Sequence, residues 1–265
     1  MNITIVQKEN TINMTQKKII VFQSVDNLAA YAAELISAKI SETPDGTFFS
    51  VALSGGSSPE KIFNYIASHQ TGKVNWNKVR FFWGDERCVQ PEDDESNYKM
   101  AHINLLSNLR IPEENIFRIH GEAIPNTEAV RYSKIIEKYV APEDKWPRFD
   151  MVMLGLGEDG HTASIFPEKV ELFHSSNICE AVAHPQSGQQ RITLTGQVIN
   201  NAKDVVFLVT GQSKEKIVAT ILQEHTTSGL PASFVNPTKG NLTWLLDADA
   251  AKLLIINPQL KLLIK

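Results

Sequence analysis

The run Phe48-Phe49-Ser50-Val51-Ala52-Leu53, followed directly by Ser54-Gly55-Gly56-Ser57-Ser58-Pro59, decides the fold class of this chain. The first six residues are mostly apolar, which is typical of a buried β-strand. The next six combine glycines and hydroxyls with a proline suited to the first turn of a helix. Together they predict a strand that leads at once into a helix beginning near Pro59.

The same alternation of strand and helix recurs on both sides of this stretch. Upstream, residues 19–22 predict a strand and residues 25 to about 40 an amphipathic helix, and downstream residues 79–83 predict a strand before a helix near Asn97. Further strands are predicted at residues 150–154, 205–209 and 242–246. Such alternation predicts an α/β fold: a mainly parallel, doubly wound, Rossmann-like sheet with helices on both faces.

The length and composition predict one folded domain. A chain of 265 residues with 42% hydrophobic and 21% charged residues can bury a large core and is too apolar to be disordered. Residues 1–17 are polar and show no clear period, so we expect a loose N-terminal leader there. We expect residues 18–265 to form a single domain.

Charge and cysteine content exclude several classes of partner. The net charge is −4, and no run of lysine and arginine is interleaved with aromatic residues, so we expect no nucleic acid partner. No stretch approaches the ~20 apolar residues of a membrane span or contains the apolar core of a signal peptide. Cys88 and Cys179 lie far apart and suit reduced thiols. We therefore expect a cytoplasmic protein without a membrane partner.

Three polar or glycine-rich runs each follow a predicted strand directly. They are residues 54–59, Gly84-Asp85-Glu86-Arg87, and Gly155-Leu156-Gly157-Glu158-Asp159-Gly160-His161. Loops that leave the carboxyl ends of parallel strands emerge at one edge of the sheet, where open α/β proteins bind ligands. The sequence therefore predicts one pocket built from segments that are far apart in the chain.

The first of these loops has the composition of an anion-binding helix start. Gly55 and Gly56 allow close approach of a ligand, while Ser54 and Ser57 supply hydroxyl groups. The alternative is an ordinary turn between strand and helix, capped by Ser57 or Ser58. The loop lacks the lysine of the G-x-x-x-x-G-K-[ST] phosphate motif, so the pattern alone does not decide between the two interpretations.

The third loop places an acid and an imidazole one residue apart. It also contains a formal G-x-G-x-x-G, but Glu158 and Asp159 would face a pyrophosphate and Pro167 leaves room for a short helix only, so a dinucleotide site is disfavoured. Histidine has the side-chain pKa nearest neutrality and is the usual general base for water. We therefore interpret His161 as a candidate base beside Asp159, and the alternative is a histidine of a surface loop.

Three cations are candidates for holding an anion. Arg87 ends the second loop, Arg191 lies in the strand-like run at residues 191–195, and Lys214 follows the predicted strand at 205–209. Arginine binds phosphate in a bidentate manner and lysine acts as a point charge. Each alone is more simply a solvated surface charge, and only their joint placement favours a site.

Metal and serine chemistry find less support in the sequence. There is no H-E-x-x-H motif, and His174, Cys179 and His184 lack a tight ligand spacing, so we expect no metal. No G-x-S-x-G elbow is present, which disfavours a serine nucleophile. Water activated by a base is the better candidate nucleophile.

Taken in order, these segments resemble the 6-phosphogluconolactonase family. The resemblance rests on ALSGGSSP (52–59), RFFWGDERCV (80–89) with SNY (96–98), DMVMLGLGEDGHTASIFP (150–167), RITLT (191–195), GQSKEK (211–216) and TWLLDADAA (243–251). SGGSSP stands where SGGSTP is commoner, and the C-terminal INPQLKLLIK has no counterpart.

The resemblance implies a fold shared with glucosamine-6-phosphate deaminases and hydrolysis of 6-phospho-D-glucono-1,5-lactone without a cofactor. It makes His161 the base and Asp159 its support. Arg87, Arg191, Lys214 and the loop from Ser54 to Ser57, including Gly55 and Gly56, then hold phosphate or developing charge. The alternatives are a glucosamine-6-phosphate deaminase/isomerase and a non-catalytic sugar-phosphate sensor. We expect a monomer or a small homo-oligomer.

Overall fold

The computed structural model describes residues 3–7, 17–109, 111–224, 229–254 and 261–264. The strands are β1 (Ile3–Gln7), β2 (Lys17–Phe22), β3 (Phe49–Leu53), β4 (Val79–Trp83), β5 (Asp85–Arg87), β6 (Pro142–Glu143), β7 (Trp146–Pro147), β8 (Met151–Leu154), β9 (Cys179–Ala183), β10 (Gln190–Leu194), β11 (Asp204–Val209), β12 (Asn241–Asp247) and β13 (Lys261–Ile264). The α-helices are α1 (Val25–Ser41), α2 (Ser57–His69), α3 (Asn97–Asn104), α4 (Pro125–Tyr139), α5 (Gly196–Asn201) and α6 (Glu215–Glu224).

The main sheet has eight strands in the order β13-β1-β2-β12-β11-β8-β3-β4. The strands from β2 to β4 in this order are all parallel, whereas β1 pairs antiparallel with β2 and β13. From β3 the chain moves outward to β4, and from β8 it moves the other way to β11 and β12. Because crossovers are right-handed, the two directions place helices on opposite faces of the sheet. The predicted doubly wound α/β fold is therefore confirmed.

The direction of strand order reverses between β3 and β8, which are neighbours with Val51 opposite Met151. The side chain of Asp150 fixes this register, because its Oδ2 accepts hydrogen bonds from Ser50 N at 2.7 Å and Ser50 Oγ at 2.8 Å. In open α/β sheets the crevice beyond such a reversal is the usual ligand site. The loops that follow β3 and β8 therefore flank the expected position of a ligand.

A second, antiparallel sheet in the order β5-β10-β9 stands beyond the carboxyl end of β4. The run at residues 191–195, which the sequence predicted to be strand-like, is its central strand. The triplet Asp85-Glu86-Arg87, which reads as a charged turn, is its edge strand. Its carboxylates are buried, at 5% exposure for Asp85 and 2% for Glu86, so these residues pair with β10 instead of facing solvent.

We expected a loose leader over residues 1–17, but the structure has a β-strand within this segment. Ile3–Gln7 pairs along its length with β2, so this part of the segment extends the main sheet. The β-branched residues Ile3, Thr4, Ile5 and Val6 favour such pairing but form too short a run to stand out among polar neighbours. The boundary between leader and domain at residue 18 remains a prediction.

The core fills both sides of the parallel strands with large side chains. Phe207 and Trp244, paired across β11 and β12, stack with ring centroids 3.8 Å apart. The hydroxyl of the fully buried Tyr132 accepts from Trp83 N at 2.8 Å and donates to Trp83 O at 3.1 Å, which ties α4 to the end of β4. Across the described residues, no helix has the length and apolar character that crossing a membrane requires.

Candidate active site

The loops after β3 and β8 lie in direct contact at the strand reversal. A Cβ built on Gly155 would lie 3.4 Å from Ser54 Oγ and 3.7 Å from the carbonyl oxygen of Gly55. Ser54 is 5% exposed, so its hydroxyl lies at the floor of this junction. The two glycine-rich loops predicted from the sequence to converge therefore do so.

His161 and Asp159 form a hydrogen-bonded pair within the second of these loops. His161 Nδ1 lies 2.6 Å from Asp159 Oδ1, and the same oxygen accepts from the backbone N–H of His161 at 3.1 Å. Because an ionised carboxylate can only accept, the ring donates through Nδ1 and keeps a lone pair on Nε2. The pair is therefore arranged to present an unprotonated Nε2 to a substrate or to water.

Gly157 is required for this arrangement. Its N–H donates to His161 O at 2.8 Å and closes the loop. A Cβ at this position would lie 2.1 Å from His161 Nδ1 and 2.5 Å from Asp159 Oδ1, so any side chain would occupy the space of the pair. The loop continues without an α-helix after Gly160, as far as a 3₁₀ turn that begins at Pro167.

The Asp159 carboxylate is held ionised by its partner. Burial by itself would raise the pKa of Asp159, but the hydrogen bonds and charge of His161 lower it to about 2. The side chains are 44% exposed for Asp159 and 25% for His161, so the pair stays open to solvent from one side. At neutral pH Asp159 is therefore ionised, and its charge can stabilise positive charge that develops on the imidazole.

Arg87 and Arg191 lie directly opposite each other on β5 and β10. Arg87 Nη1 donates to the main-chain oxygen of Glu95 at 2.7 Å, and Arg191 Nε donates to Gln189 Oε1 at 3.3 Å. Burial and the charge of Arg87 lower the pKa of Arg191. Neither arginine has an ion pair among the described residues, although Asp85, Glu95 and Glu86 lie near enough to act on the charge of Arg191.

The ring of Phe166 lies between Arg191 and His161. Its ring centroid is 5.0 Å from that of His161 and 5.6 Å from Cζ of Arg191. Phe166 is fully buried and therefore fixes the spacing between the base and the cation. Three of the predicted site residues, His161, Asp159 and Arg191, are thus assembled around one aromatic side chain.

The loop after β3 ends in a helix start without a side-chain cap. The N-cap of α2 is Gly56, with φ of 98°, and neither Ser57 nor Ser58 caps it. Ser58 Oγ instead contacts Thr210 Oγ1 at 2.7 Å, and Ser57 is exposed. The interpretation of this loop as a turn capped by Ser57 or Ser58 is therefore wrong, and the first N–H groups of α2 stay available to an anion.

Lys214 reaches the same edge from the end of β11. It closes a 3₁₀ turn that begins after Gly211, whose φ is 96°, and leads into α6. On the next turn, Ile217 lies 3.3 Å from the Cβ position of Gly160, so α6 packs against the histidine loop. Among the described residues, however, no ion pair of Lys214 and no direct contact with His161 is found.

Comparison with known proteins identifies the family. Residues 23–244 match the family described as glucosamine-6-phosphate isomerases/6-phosphogluconolactonase. The chain belongs to this family. It is 40% identical over 199 residues to the 6-phosphogluconolactonase of Treponema pallidum, covering 75% of this chain and 83% of that protein.

Other members of the family extend the match. The 6-phosphogluconolactonase of Homo sapiens is 34% identical over 243 residues, with 90% of this chain and 94% of that protein covered. The solved 6-phosphogluconolactonase of Trypanosoma cruzi superposes with a TM-score of 0.80 at 29% identity, covering 89% and 96% of the two chains. The family predicted from the sequence motifs is confirmed.

Two polar residues of the family motifs, Glu86 and Asn97, were not predicted as site residues. Glu86 accepts from the backbone N–H groups of Arg87 and Asn97 at 2.8 Å and of Tyr98 at 2.7 Å. Asn97 in turn donates to Asp85 O at 2.9 Å and lies where a Cβ on Gly55 would be, 1.9 Å from its Oδ1. Together they fix Arg87, α3 and the loop after β3 to one another.

A cleft of about 730 Å³ opens at the other edge of the main sheet. Its lysines are already neutralised, because Lys39 pairs with Asp204 at 2.9 Å and Lys203 with Asp150 at 2.7 Å. Both carboxylates lie at the amino ends of strands, away from the loops that carry the family motifs. Because the Asp159–His161 pair and the predicted arginines lie at the carboxyl edge, we take that edge as the candidate active site.

Proposed function

We propose that this chain hydrolyses 6-phospho-D-glucono-1,5-lactone to 6-phospho-D-gluconate, the second step of the oxidative pentose phosphate pathway, as a carboxylic ester hydrolase. Relatives of this name over most of the chain support the assignment. The single observation that carries it is the Asp159–His161 pair, joined at 2.6 Å, which shares the ring of Phe166 with Arg191.

In the proposed mechanism, His161 Nε2 takes a proton from water while the water oxygen forms a bond to the lactone carbonyl carbon. Asp159 holds the ring through Nδ1 and stabilises the imidazolium that results. The tetrahedral intermediate collapses with cleavage of the bond to the ring oxygen, which receives the proton from His161. The product is one open-chain molecule that carries a free acid and a new hydroxyl group, and the histidine returns to its neutral form.

In this mechanism the remaining site residues bind the anionic parts of the substrate. Arg87, Arg191 and Lys214 supply positive charge for the phosphate and the developing oxyanion. Ser54, Gly55, Gly56 and Ser57 supply hydroxyl and backbone donors at the start of α2. A single donor aimed at an oxyanion can contribute about 3 kcal/mol to catalysis. The scheme needs no cofactor, since water is the nucleophile and a side chain the base.

The test is a lactonase assay on the purified protein after treatment with a chelator. Product is followed with a coupled dehydrogenase against a blank for spontaneous opening of the lactone. We expect hydrolysis that scales with protein concentration and disappears on heat denaturation, with no release of ammonia from glucosamine 6-phosphate. Ammonia release faster than lactone hydrolysis would replace the proposal with a deaminase. Binding of the lactone without turnover would replace it with a sugar-phosphate sensor.

A further inference from the structure

His184 occupies the turn between β9 and β10, next to the predicted arginines. Its backbone N–H donates to Gln189 O at 2.8 Å and its carbonyl accepts from Gly188 N at 2.9 Å. The first bond continues the register of β9 and β10 by one pair beyond Ala183 and Gln190, and the second closes the turn. His184 and Gln189 are therefore directly opposite each other at the end of the small sheet.

The alternation of side chains places His184 on the same face as Arg87 and Arg191. Directly opposite residues of an antiparallel pair share a face, and every second residue along a strand returns to it. Gln189 shares a face with Arg191, as the contact of Arg191 Nε with Gln189 Oε1 shows. Since Arg87 is opposite Arg191, the imidazole and both guanidinium groups belong to one face.

Phe166 confirms that this face belongs to the candidate active site. Its ring lies 5.0 Å from the ring of His184 at an interplanar angle of 72°, and also 5.0 Å from the ring of His161. Burial and the positive charge of Arg191 lower the pKa of His184, as do His161 and Arg87, whereas the carboxylate of Asp159 opposes the shift. The pKa of His184 therefore depends on the charges of four residues that the sequence predicted for the site.

The tautomer of His184 is set by its own turn. Nδ1 faces the backbone N–H groups of Gln186 and Ser187, each at 3.2 Å. These groups can only donate, so Nδ1 accepts and the proton of the neutral ring sits on Nε2. Among the described residues no hydrogen bond from Nε2 is found. On the face of the two arginines, the ring therefore offers its Nε2–H as a donor that has no partner among the described residues.

We propose that the phosphate group of the substrate binds between Arg87 and Arg191 and accepts a hydrogen bond from His184 Nε2–H, which makes His184 a third phosphate ligand that contributes to substrate specificity. The proposal rests on the proposed function for the identity of the ligand, a phosphate monoester. Such a dianion compensates two guanidinium charges and offers three terminal oxygens as acceptors. A neutral imidazole adds a donor without adding to the repulsion between the arginines.

The test compares two substitutions by calorimetric titration with 6-phosphogluconate and with inorganic phosphate. Asparagine keeps an acceptor near the position of Nδ1, as in an Asx turn, and removes Nε2–H. Phenylalanine keeps the ring beside Phe166 and removes both nitrogens. We expect His184→Asn to weaken binding of both probes roughly 10-fold, as for a lost hydrogen bond to a charged group. His174→Asn, at an exposed histidine, should bind as the parent does.

The outcomes separate a phosphate ligand from a purely structural turn. If His184→Asn binds both probes as tightly as the parent and only His184→Phe is impaired, His184 supports the turn alone and the proposal is overturned. A rise in KM for the phosphorylated lactone with kcat nearly unchanged in His184→Asn would support it further.

The assay of the parent protein separates this inference from the proposed function. A parent that fails to hydrolyse the lactone, yet binds 6-phosphogluconate in a manner that depends on His184, overturns the lactonase assignment and leaves the inference supported. A parent that binds neither 6-phosphogluconate nor inorganic phosphate overturns the inference.

Discussion

At the scale of single residues, the site depends on short-range chemistry within one loop. Asp159 and His161 are one residue apart, and their 2.6 Å contact needs only the turn that Gly157 closes. This explains why a sequence pattern could predict the pair. We therefore expect small changes within the loop to act directly on the proposed catalysis, without disturbing the core beneath it.

We predict that His161→Asn lowers kcat by roughly 10²–10⁴, the usual contribution of a positioned general base. Asparagine occupies similar space but cannot take up the proton from water. Steady-state assays of the purified variant measure the effect, with circular dichroism to show that the fold is kept and His174→Asn as the matched control. A folded His161→Asn protein with the kcat of the parent would remove His161 from the mechanism.

Gly157→Ala should lower kcat by about 10²-fold, because a misplacement of catalytic groups by ~1 Å has an effect of that size. The new methyl group would lie 2.1 Å from His161 Nδ1, so the ring and Asp159 must move. The matched control is Gly72→Ala, where a Cβ meets no atom within 4 Å. Equal kcat values for Gly157→Ala and Gly72→Ala would show that the pair tolerates displacement.

At the scale of secondary-structure elements, the carboxylate of Glu86 connects the edge strand β5 to the start of α3. It accepts three backbone N–H groups and lies 3.2 Å from Ser96 Oγ, at 2% exposure. Burial raises the pKa of Glu86 to about 7, although the backbone donors oppose the shift. Arg87 follows directly, so this anchor also fixes one of the two arginines of the site.

Glu86→Gln should destabilise the protein by about 1–3 kcal/mol, because the amide nitrogen leaves a buried donor unsatisfied. The folded-state pKa of Glu86 lies above the unfolded value of about 4.3. Protonation of Glu86 therefore stabilises the parent, and this contribution is fully present below about pH 4. That contribution is lost as the pH rises through 7.

The difference in free energy of unfolding between parent and Glu86→Gln should therefore be larger at pH 5 than at pH 8. Urea denaturation at both values measures it, and Glu92→Gln, at an exposed glutamate, is the control. A difference that grows with pH would contradict the raised pKa.

The sequence predicted the parallel elements better than the antiparallel ones. The strand at 79–83 was placed at its observed limits, and the helix from residue 25 within one residue of its observed end, because each is a local run with a clear period. β5 was missed because its polarity indicates a turn, and only pairing with β10, about a hundred residues later, makes it a strand. His184 was considered only as a metal ligand, since its neighbours Arg87 and Arg191 are brought to it by that same pairing. The roles of the predicted site residues remain predictions.

At the scale of the whole molecule, the candidate active site and the ion pairs of Lys39 and Lys203 lie at opposite edges of the sheet. The family motifs lie at the carboxyl edge around the reversal between β3 and β8, and the ion pairs of Lys39 and Lys203 lie at the amino edge. β1 and β13 extend the opposite end of the sheet, with β2, β12 and β11 between them and the site. We propose on this basis that residues 18–265 are a single functional domain.

Removal of residues 1–16 should keep kcat/KM within about twofold of the parent, since terminal segments remote from a site usually tolerate truncation. The same truncation removes β1 and leaves one side of β2 unpaired, so we expect more self-association, as for other exposed edge strands. Kinetic assays and light scattering at matched concentration test both parts. A truncated protein that is folded and monomeric but inactive would show that β1 contributes to the site.

The pairing of β2 with β12 joins segments more than two hundred residues apart, with Lys17 opposite Leu242, and this has a consequence for synthesis on the ribosome. β2 leaves the exit tunnel long before its parallel neighbour β12 is translated. Pairings between such distant segments form slowly, and apolar strands that wait for partners are prone to aggregate. β2 therefore has no parallel partner until β12 has emerged, which makes β2 a natural segment for chaperones to shield.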